Sequence, residues 1–365
     1  FAPSDFAPLI QQHSPQLVPF LENGLTFAFY GVYDGHGGSF TSNFLKDHLH
    51  IHLLESISEV LAGKAVTNEE AVEAELEGEF REAKEEKAEA KTEAKTEAKT
   101  ESKTEKASES KNEDKKEEKK AEDGKEQSKG ASALAALTRP PVVIMPPILP
   151  GHVSSVPAGR MMLYKAFKRC ERELLTAYTS ASVPEDGACV VTALILGPCL
   201  YLSNLGDCRG VLARFDESLR VICLSRDHKA TFKSESDRVV QRGGTISADH
   251  KVDDRMVVSR TFGDFSLKNR GVSAVPHIAR VVLNKKDRFL LLGSASMWNA
   301  VPLQEAITFV NTAFEEDPKP DVQTVCRRML KEAISKATVS DNITVLIIRF
   351  DWPNIAVASS SSSDS

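Results

Sequence analysis

The chain has 365 residues, 41% of them apolar, with a formal net charge of −6. That length predicts one large domain or two smaller ones with ample core, and the negative balance offers no long-range attraction to nucleic acid or an anionic membrane. No stretch approaches the roughly 18 consecutive apolar residues that span a bilayer, so no membrane partner is expected.

The first residues, Phe1-Ala-Pro-Ser4, are neither an initiator Met nor a signal peptide with a basic end and an apolar stretch. They read as a truncated or processed end, which leaves room for an upstream targeting segment. The six cysteines, Cys170, Cys189, Cys199, Cys208, Cys223 and Cys326, form no C-x-x-C pair and no zinc spacing with histidine. Most sit in apolar runs and read as free thiols of a reducing compartment, cytoplasm or nucleus.

In chain order, Phe27–Tyr33 is a strand running into Asp34-Gly-His-Gly-Gly38, and Phe40–Leu54 is a helix. Composition then breaks near residue 64 and recovers near 158. Within this insert, residues 80–129 are almost wholly Glu, Lys, Ala, Ser and Thr, centred on a four-residue repeat at Lys91, Lys95, Lys99 and Lys103. A period of four places Glu93, Glu97, Glu101 and Glu105 at i, i+4, and the lysines likewise. Like charges therefore face each other while opposite charges, two apart, do not. A solvated, mostly disordered segment is expected despite the helix-forming composition. The stretch Arg139–Pro150 is held extended by its prolines, and its apolar residues suggest docking onto the domain as a clamp.

Apolar positions at Met162, Ala166, Phe167, Cys170, Leu174 and Ala177 give one buried face to a helix over Arg160–Tyr178. Strands follow at Val190–Leu196, Leu200–Leu205, Gly210–Arg214 and Leu219–Leu224, with turns at Gly197-Pro198 and Asp216–Ser218. Ser234 with Asp237 resembles a helix-start box for Ser234–Arg242, stopped by Gly243-Gly244. Strand Arg288–Leu292, helices Leu303–Phe314 and Val322–Lys336, and strand Ile343–Phe350 complete the pattern, and a Ser-rich tail over 352–365 is read as flexible. Hairpins and helices in adjacent groups indicate antiparallel sheets flanked by helices, an α+β layering.

Two of these strands border an aspartate motif, Asp34-Gly-His at the end of one and Ser340-Asp-Asn342 before another. A third leads into Gly293-Ser-Ala295, where a carboxylate would be expected and Ala295 stands instead. Carboxylates on strand ends are what a pair of hard divalent cations requires.

Six motifs now fall in one order: Val32-Tyr-Asp-Gly-His-Gly-Gly38, Asn204-Leu-Gly-Asp-Cys-Arg209, Leu224-Ser-Arg-Asp-His-Lys229, Arg238 followed by Gly243-Gly244, Val258-Ser-Arg-Thr-Phe-Gly-Asp264, and Ser340-Asp-Asn-Ile-Thr344. Together they resemble the metal-dependent protein serine/threonine phosphatases of type 2C. The resemblance covers about residues 24–56 and 160–351. It implies a domain over 1–351 interrupted by the insert at 64–157, folded as a four-layer α-β-β-α sandwich. It also implies two Mg²⁺ or Mn²⁺ ions, with a metal-held water attacking phosphoserine or phosphothreonine.

Carried over residue by residue, the resemblance makes Asp34 the bridging metal ligand, with the Gly35 carbonyl beside it. Asp341 becomes a ligand of the second ion, Asp207 a candidate for a weaker third, and His36 the candidate general acid. Asp264 reads as a structural cap. Arg209, Arg226 and Arg260 read as loop-holding partners of acidic groups, and Asp227-His228 as an anchor for the following loop.

Three departures fall on the site. Ala295 replaces a metal-binding aspartate and Asn299 a second aspartate. The N-terminal arginine and Glu-Asp string is absent, Asp5 being the nearest acid. Ala188 and Cys189 stand in a loop where small hydroxylated residues are usual. With Asp34 and Asp341 alone secure, the protein supplies −2 against +4, so one ion or none is expected. The first reading is therefore a weak or inactive pseudophosphatase, a monomeric binding or regulatory module for a phosphoprotein or a kinase. The alternative is an active Mg²⁺- or Mn²⁺-dependent phosphatase whose missing oxygens come from Asp5, Asp207 or Asp264. A third possibility gives the Lys/Glu insert its own role as a tether.

Overall fold

A computed structural model describes residues 8, 10–12, 14, 27–61, 143–144, 156–181, 183–316, 321–338 and 340–352. The chain divides into two units, Phe1–Ala65 with Pro140–Ser365, and Val66–Arg139. The second unit, with the charged repeat, lies outside the described residues, as do Asp5 and the Ser-rich stretch beyond 352.

In chain order the elements are β1 (Phe27–His36), α1 (Phe40–Leu61), β2 (Val143–Ile144), α2 (Val156–Ala181), β3 (Gly187–Leu196), β4 (Cys199–Leu205), β5 (Arg209–Phe215) and β6 (Leu219–Cys223). There follow α3 (Lys233–Gln241), β7 (Phe262–Gly263), a 3₁₀ turn over Phe265–Arg270, β8 (His277–Val282), β9 (Asp287–Gly293), α4 (Ala295–Ala300), α5 (Leu303–Glu315), α6 (Val322–Lys336) and β10 (Val345–Asp351). One sheet has the order β1-β3-β4-β8 with β7 on β3, and the other β2-β10-β9-β5-β6. Among the described strands every pairing is antiparallel except the two-residue contact of Val143–Ile144 with Phe350–Asp351; the rest of the proline-rich stretch lies outside the described residues.

Side-chain alternation builds the layers. Along β3, Val190, Leu194 and Leu196 join Leu45, Leu49, Phe167 and Leu174 of α1 and α2, while Val191, Ala193 and Ile195 face the opposite sheet and meet Leu212, Leu290, Leu292 and Ile348. On the second sheet Val211, Phe289, Leu291 and Ile347 turn the other way, onto Met297, Ile307, Val310, Val325 and Met329 of α4–α6. Three apolar cores separate four layers, the expected α-β-β-α sandwich. β3 is buried along its whole length because both of its faces are covered.

The differences from expectation have physical causes. α1 extends past Leu54 to Leu61 because Ile57 continues its buried face. β8 is an edge strand whose His277 and Arg280 break the apolar signal, and α4 is only six residues long. Ala188 and Cys189 lie within β3, not in a loop, paired with Gly35 and Asp34. Ser234 does not cap α3. Phe232 occupies the cap position without a side-chain bond, Ser234 accepts from Arg226, and Asp237 pairs with Lys233. Gly243, at φ 86°, does end that helix, its N–H bonding the Val240 carbonyl.

Candidate active site

The Asp34-Gly-His motif belongs to a strand. β1 continues through His36, and Asp34, Gly35 and His36 pair with Cys189, Ala188 and Gly187 of β3. Pairing on a central strand fixes the direction of these side chains more firmly than a loop would.

His36 Nε2 stands 2.8 Å from Asp264 Oδ2, which also accepts from the Thr261 hydroxyl at 2.8 Å. Asp264 holds a left-handed conformation (φ 49°) at the start of the 3₁₀ turn, and its side chain serves His36 instead of capping that turn. Gly187 makes this approach possible, since a Cβ there would collide with both the Asp264 carboxylate and the imidazole. Burial alone would lower the His36 pKa. The Asp264 hydrogen bond, with the charges of Asp264, Asp34 and Asp186, raises it above the ordinary value instead. His36 is thus equipped to hold and release a proton.

Asp186, which the sequence reading did not single out, ties this region down. Its carboxylate accepts from the Phe40 and Thr41 N–H groups at 2.7 and 3.1 Å, from the Thr41 hydroxyl at 2.7 Å and from the Tyr178 hydroxyl, so it caps the first turn of α1 from a distant loop. Its carbonyl takes the Asp264 N–H at 3.1 Å. The sequence signal was weak: a lone Asp before Gly187.

Asp34 lies near enough to Asp207 and Asp341 to feel their charges. Burial raises the Asp34 pKa, the Asp207 and Asp341 charges raise it further, and an N–H from Ala295 and the charge of His36 oppose the rise. The backbone of Ala295, the position that lacks a carboxylate, therefore opposes the rise at Asp34. The Cys208 thiol also points at Asp34, 3.8 Å from Oδ2. Asp341 accepts from the Ser296 hydroxyl and from the Asn342 N–H at 2.7 Å. Asp207 lies 3.2 Å from the Lys229 ammonium, which is 3.6 Å from Asp227. Ala295 opens α4, and Asn299 lies one turn further along the same helix.

Each of the three carboxylates already faces a proton donor or a cation. Among the described residues, no three His, Cys, Asp or Glu side chains stand as a ready metal cluster.

The remaining predicted residues hold the frame. Arg209 grips Asp227 with two bonds of 2.7 Å. Arg226 reaches the Ser234 hydroxyl at 3.1 Å, and the Asn204 amide donates to the Arg226 carbonyl at 2.6 Å. Arg260 pairs with buried Glu235 at 2.6 Å, and Arg238 joins the same carboxylate at 2.6 Å. His228, wholly buried, anchors its loop through backbone bonds to Gly206 and Ser259. All six cysteines are free: Cys170, Cys189, Cys199 and Cys208 are buried, Cys326 is half-buried and Cys223 is exposed.

Comparison with known proteins gives the same answer as the fold. Residues 152–343 match the family described as Protein phosphatase 2C, which is more than half of the chain. The chain belongs to the protein phosphatase 2C family. Members of this family are hydrolases that generally depend on Mg²⁺ or Mn²⁺. Probable protein phosphatase 2C 8 of Arabidopsis thaliana is 32% identical over 214 residues, 55% of this chain and 60% of that relative. The integrin-linked kinase-associated serine/threonine phosphatase 2C of Mus musculus is 31% identical over 201 residues, 51% of each chain. The chain thus spans between half and two thirds of these curated relatives. Among solved structures, a serine-threonine phosphatase 2C from Toxoplasma gondii superimposes with a TM-score of 0.57 at 18% identity, covering 89% of this chain and 85% of that one. A Caenorhabditis elegans sex determining protein gives 0.56 at 16% identity, over 88% and 56%. These two likenesses establish the fold. Among the described residues no helix is long and apolar enough to cross a membrane.

Proposed function

We propose that this protein phosphatase 2C domain has lost most or all of its hydrolytic power. It serves instead as a binding or regulatory module for a phosphoprotein or a kinase. The observation that carries the reading is Ala295, which stands where the type 2C pattern places a carboxylate. Two secure carboxylates cannot balance two divalent ions, and losing a direct ligand should cost more than the 10–100-fold typical of an outer partner. The reading includes one weakly held Mg²⁺ or Mn²⁺ or none, a monomeric domain, a cytoplasmic or nuclear setting and no affinity for nucleic acid. A curated relative named for association with integrin-linked kinase supports a kinase as one class of partner.

One observation favours the alternative, an active phosphoserine/phosphothreonine phosphatase: the His36–Asp264 pair remains formed beside Asp34. Hydrolysis of a phosphothreonine peptide with excess Mn²⁺, by the chain and by its Asp34→Ala variant, separates the two. The proposal expects equal, near-background rates. An ordinary turnover rate abolished by Asp34→Ala would overturn it.

A further inference from the structure

The start of α4 is pinned to the loop that carries Asp341. The Ser294 N–H donates to the Thr344 carbonyl, and the Thr344 N–H donates to the Ser294 hydroxyl, both at 3.1 Å. These two bonds extend the β9–β10 ladder past its last pair, Gly293 with Val345. A second anchor lies one turn along the helix. The Trp298 indole N–H reaches the Gly293 carbonyl at 3.1 Å and the Arg209 carbonyl at 3.2 Å. Ser294 and Trp298 are both buried, and Ser296 stands between them, so the first turn of α4 is held in one place.

Held there, Ser296 addresses Asp341. Its hydroxyl donates to Oδ2, while the Asn342 N–H donates to Oδ1 at 2.7 Å. Each oxygen of this carboxylate therefore accepts a proton from the protein itself. A hydroxyl both donates and accepts, but toward a carboxylate it can only donate. A cation taking Oδ2 must either displace this donor or share the oxygen with it.

The loss of the carboxylate at 295 and the hydroxyl at 296 act together. With Ala295 in place, that position offers no side-chain oxygen to share a cation with Asp341. The Asp341 charge is nevertheless felt at Asp34. Ser296 answers that charge with a proton where a cation is missing. Building on the proposed loss of the metal pair, we propose that Ser296 is a second determinant of it. It is a positioning residue whose hydroxyl ties Asp341 into the metal-free arrangement and competes with a divalent ion for its carboxylate. Asp341 is exposed, which limits the competition to the net worth of one hydrogen bond to a charged group, about tenfold in affinity. Returning carboxylates at 295 and 299 then recovers only part of the lost binding.

The test is calorimetric titration with MnCl₂ of the Ala295→Asp, Asn299→Asp chain, with and without Ser296→Ala. Alanine suits the second position of α4 and leaves both anchors untouched. Ser296→Gly replaces it if circular dichroism shows a damaged fold. The inference expects Mn²⁺ to bind about tenfold more tightly once the hydroxyl is gone. A second arm uses no metal. Ser296→Ala should lower the urea midpoint of the parent but not that of an Asp341→Ala chain, the signature of a direct bond between the two side chains. Equal or weaker Mn²⁺ binding without the hydroxyl, or no coupling between the two positions in urea, would overturn the inference and leave the proposed function standing. Two Mn²⁺ ions bound at micromolar concentration by the unaltered chain would overturn both.

Discussion

Replacing Glu235 by Gln leaves shape and volume nearly unchanged while removing one charge from the interior. The Glu235 side chain is 1% exposed and accepts from Arg260 Nη2 at 2.6 Å, from Arg260 Nε, from Arg238 Nη2 at 2.6 Å and from the Ser259 hydroxyl. Burial by itself would raise this carboxyl, but the charges of Arg260 and Arg238 hold it well below the ordinary carboxylate range. With Gln in place the Arg260 guanidinium, 4% exposed, loses its counter-charge in a site where water cannot replace it. Breaking a buried pair from one side costs about 3–5 kcal/mol. For a domain of this size that lowers Tm by roughly 6–20 °C. Urea unfolding followed by Trp fluorescence gives the loss directly. Because the remaining damage is an unpaired charge, Glu235→Leu combined with Arg260→Met should recover stability relative to Glu235→Gln. A Gln variant within about 0.5 kcal/mol of the parent, the range of an ordinary surface substitution, would refute the reasoning that this carboxylate fastens α3 to the segment leading into Asp264.

The same region predicts acid sensitivity. His228 is driven well below its ordinary pKa by burial and by Arg260, and His277 is lowered to about 4 by burial and by Arg226. Below the unfolded value near 6.5 the unfolded chain takes up protons that these rings refuse. Stability should therefore fall by roughly 1.4 kcal/mol per pH unit per histidine from about pH 6 toward pH 4, and His277→Gln should flatten the slope in urea titrations at stepped pH. Gly187→Ala should drive His36 and Asp264 apart, so that the His36 titration, followed by NMR, loses the upward shift that depends on Asp264. An unmoved titration would remove Gly187 from the account.

Strand and helix periodicity revealed most of the sandwich because its inner strands are apolar on both faces and its helices on one. The positions of Val190–Leu196 and Val322–Lys336 follow directly from that physics. β8 stayed hidden because an edge strand pairs on one side only and tolerates His277 and Arg280. The site was legible in part. Asp34, His36 and Asp341 could be named from motifs, but the partners that define their chemistry are distant in sequence: Asp264 is 228 residues from His36, and Ser296 is 45 from Asp341. Asp186 and Gly187 carried little signal of their own, since one acts by capping a helix 145 residues away and the other by having no Cβ.

The central claim is that Ala295 has cost this phosphatase 2C domain its metal pair. Calorimetric titration with Mn²⁺, comparing the chain with its Ala295→Asp, Asn299→Asp variant, tests it most directly. The account predicts no binding tighter than millimolar in the parent and a clear gain in affinity and stoichiometry when the two carboxylates are returned. Two Mn²⁺ ions bound at micromolar concentration by the unaltered chain would contradict it.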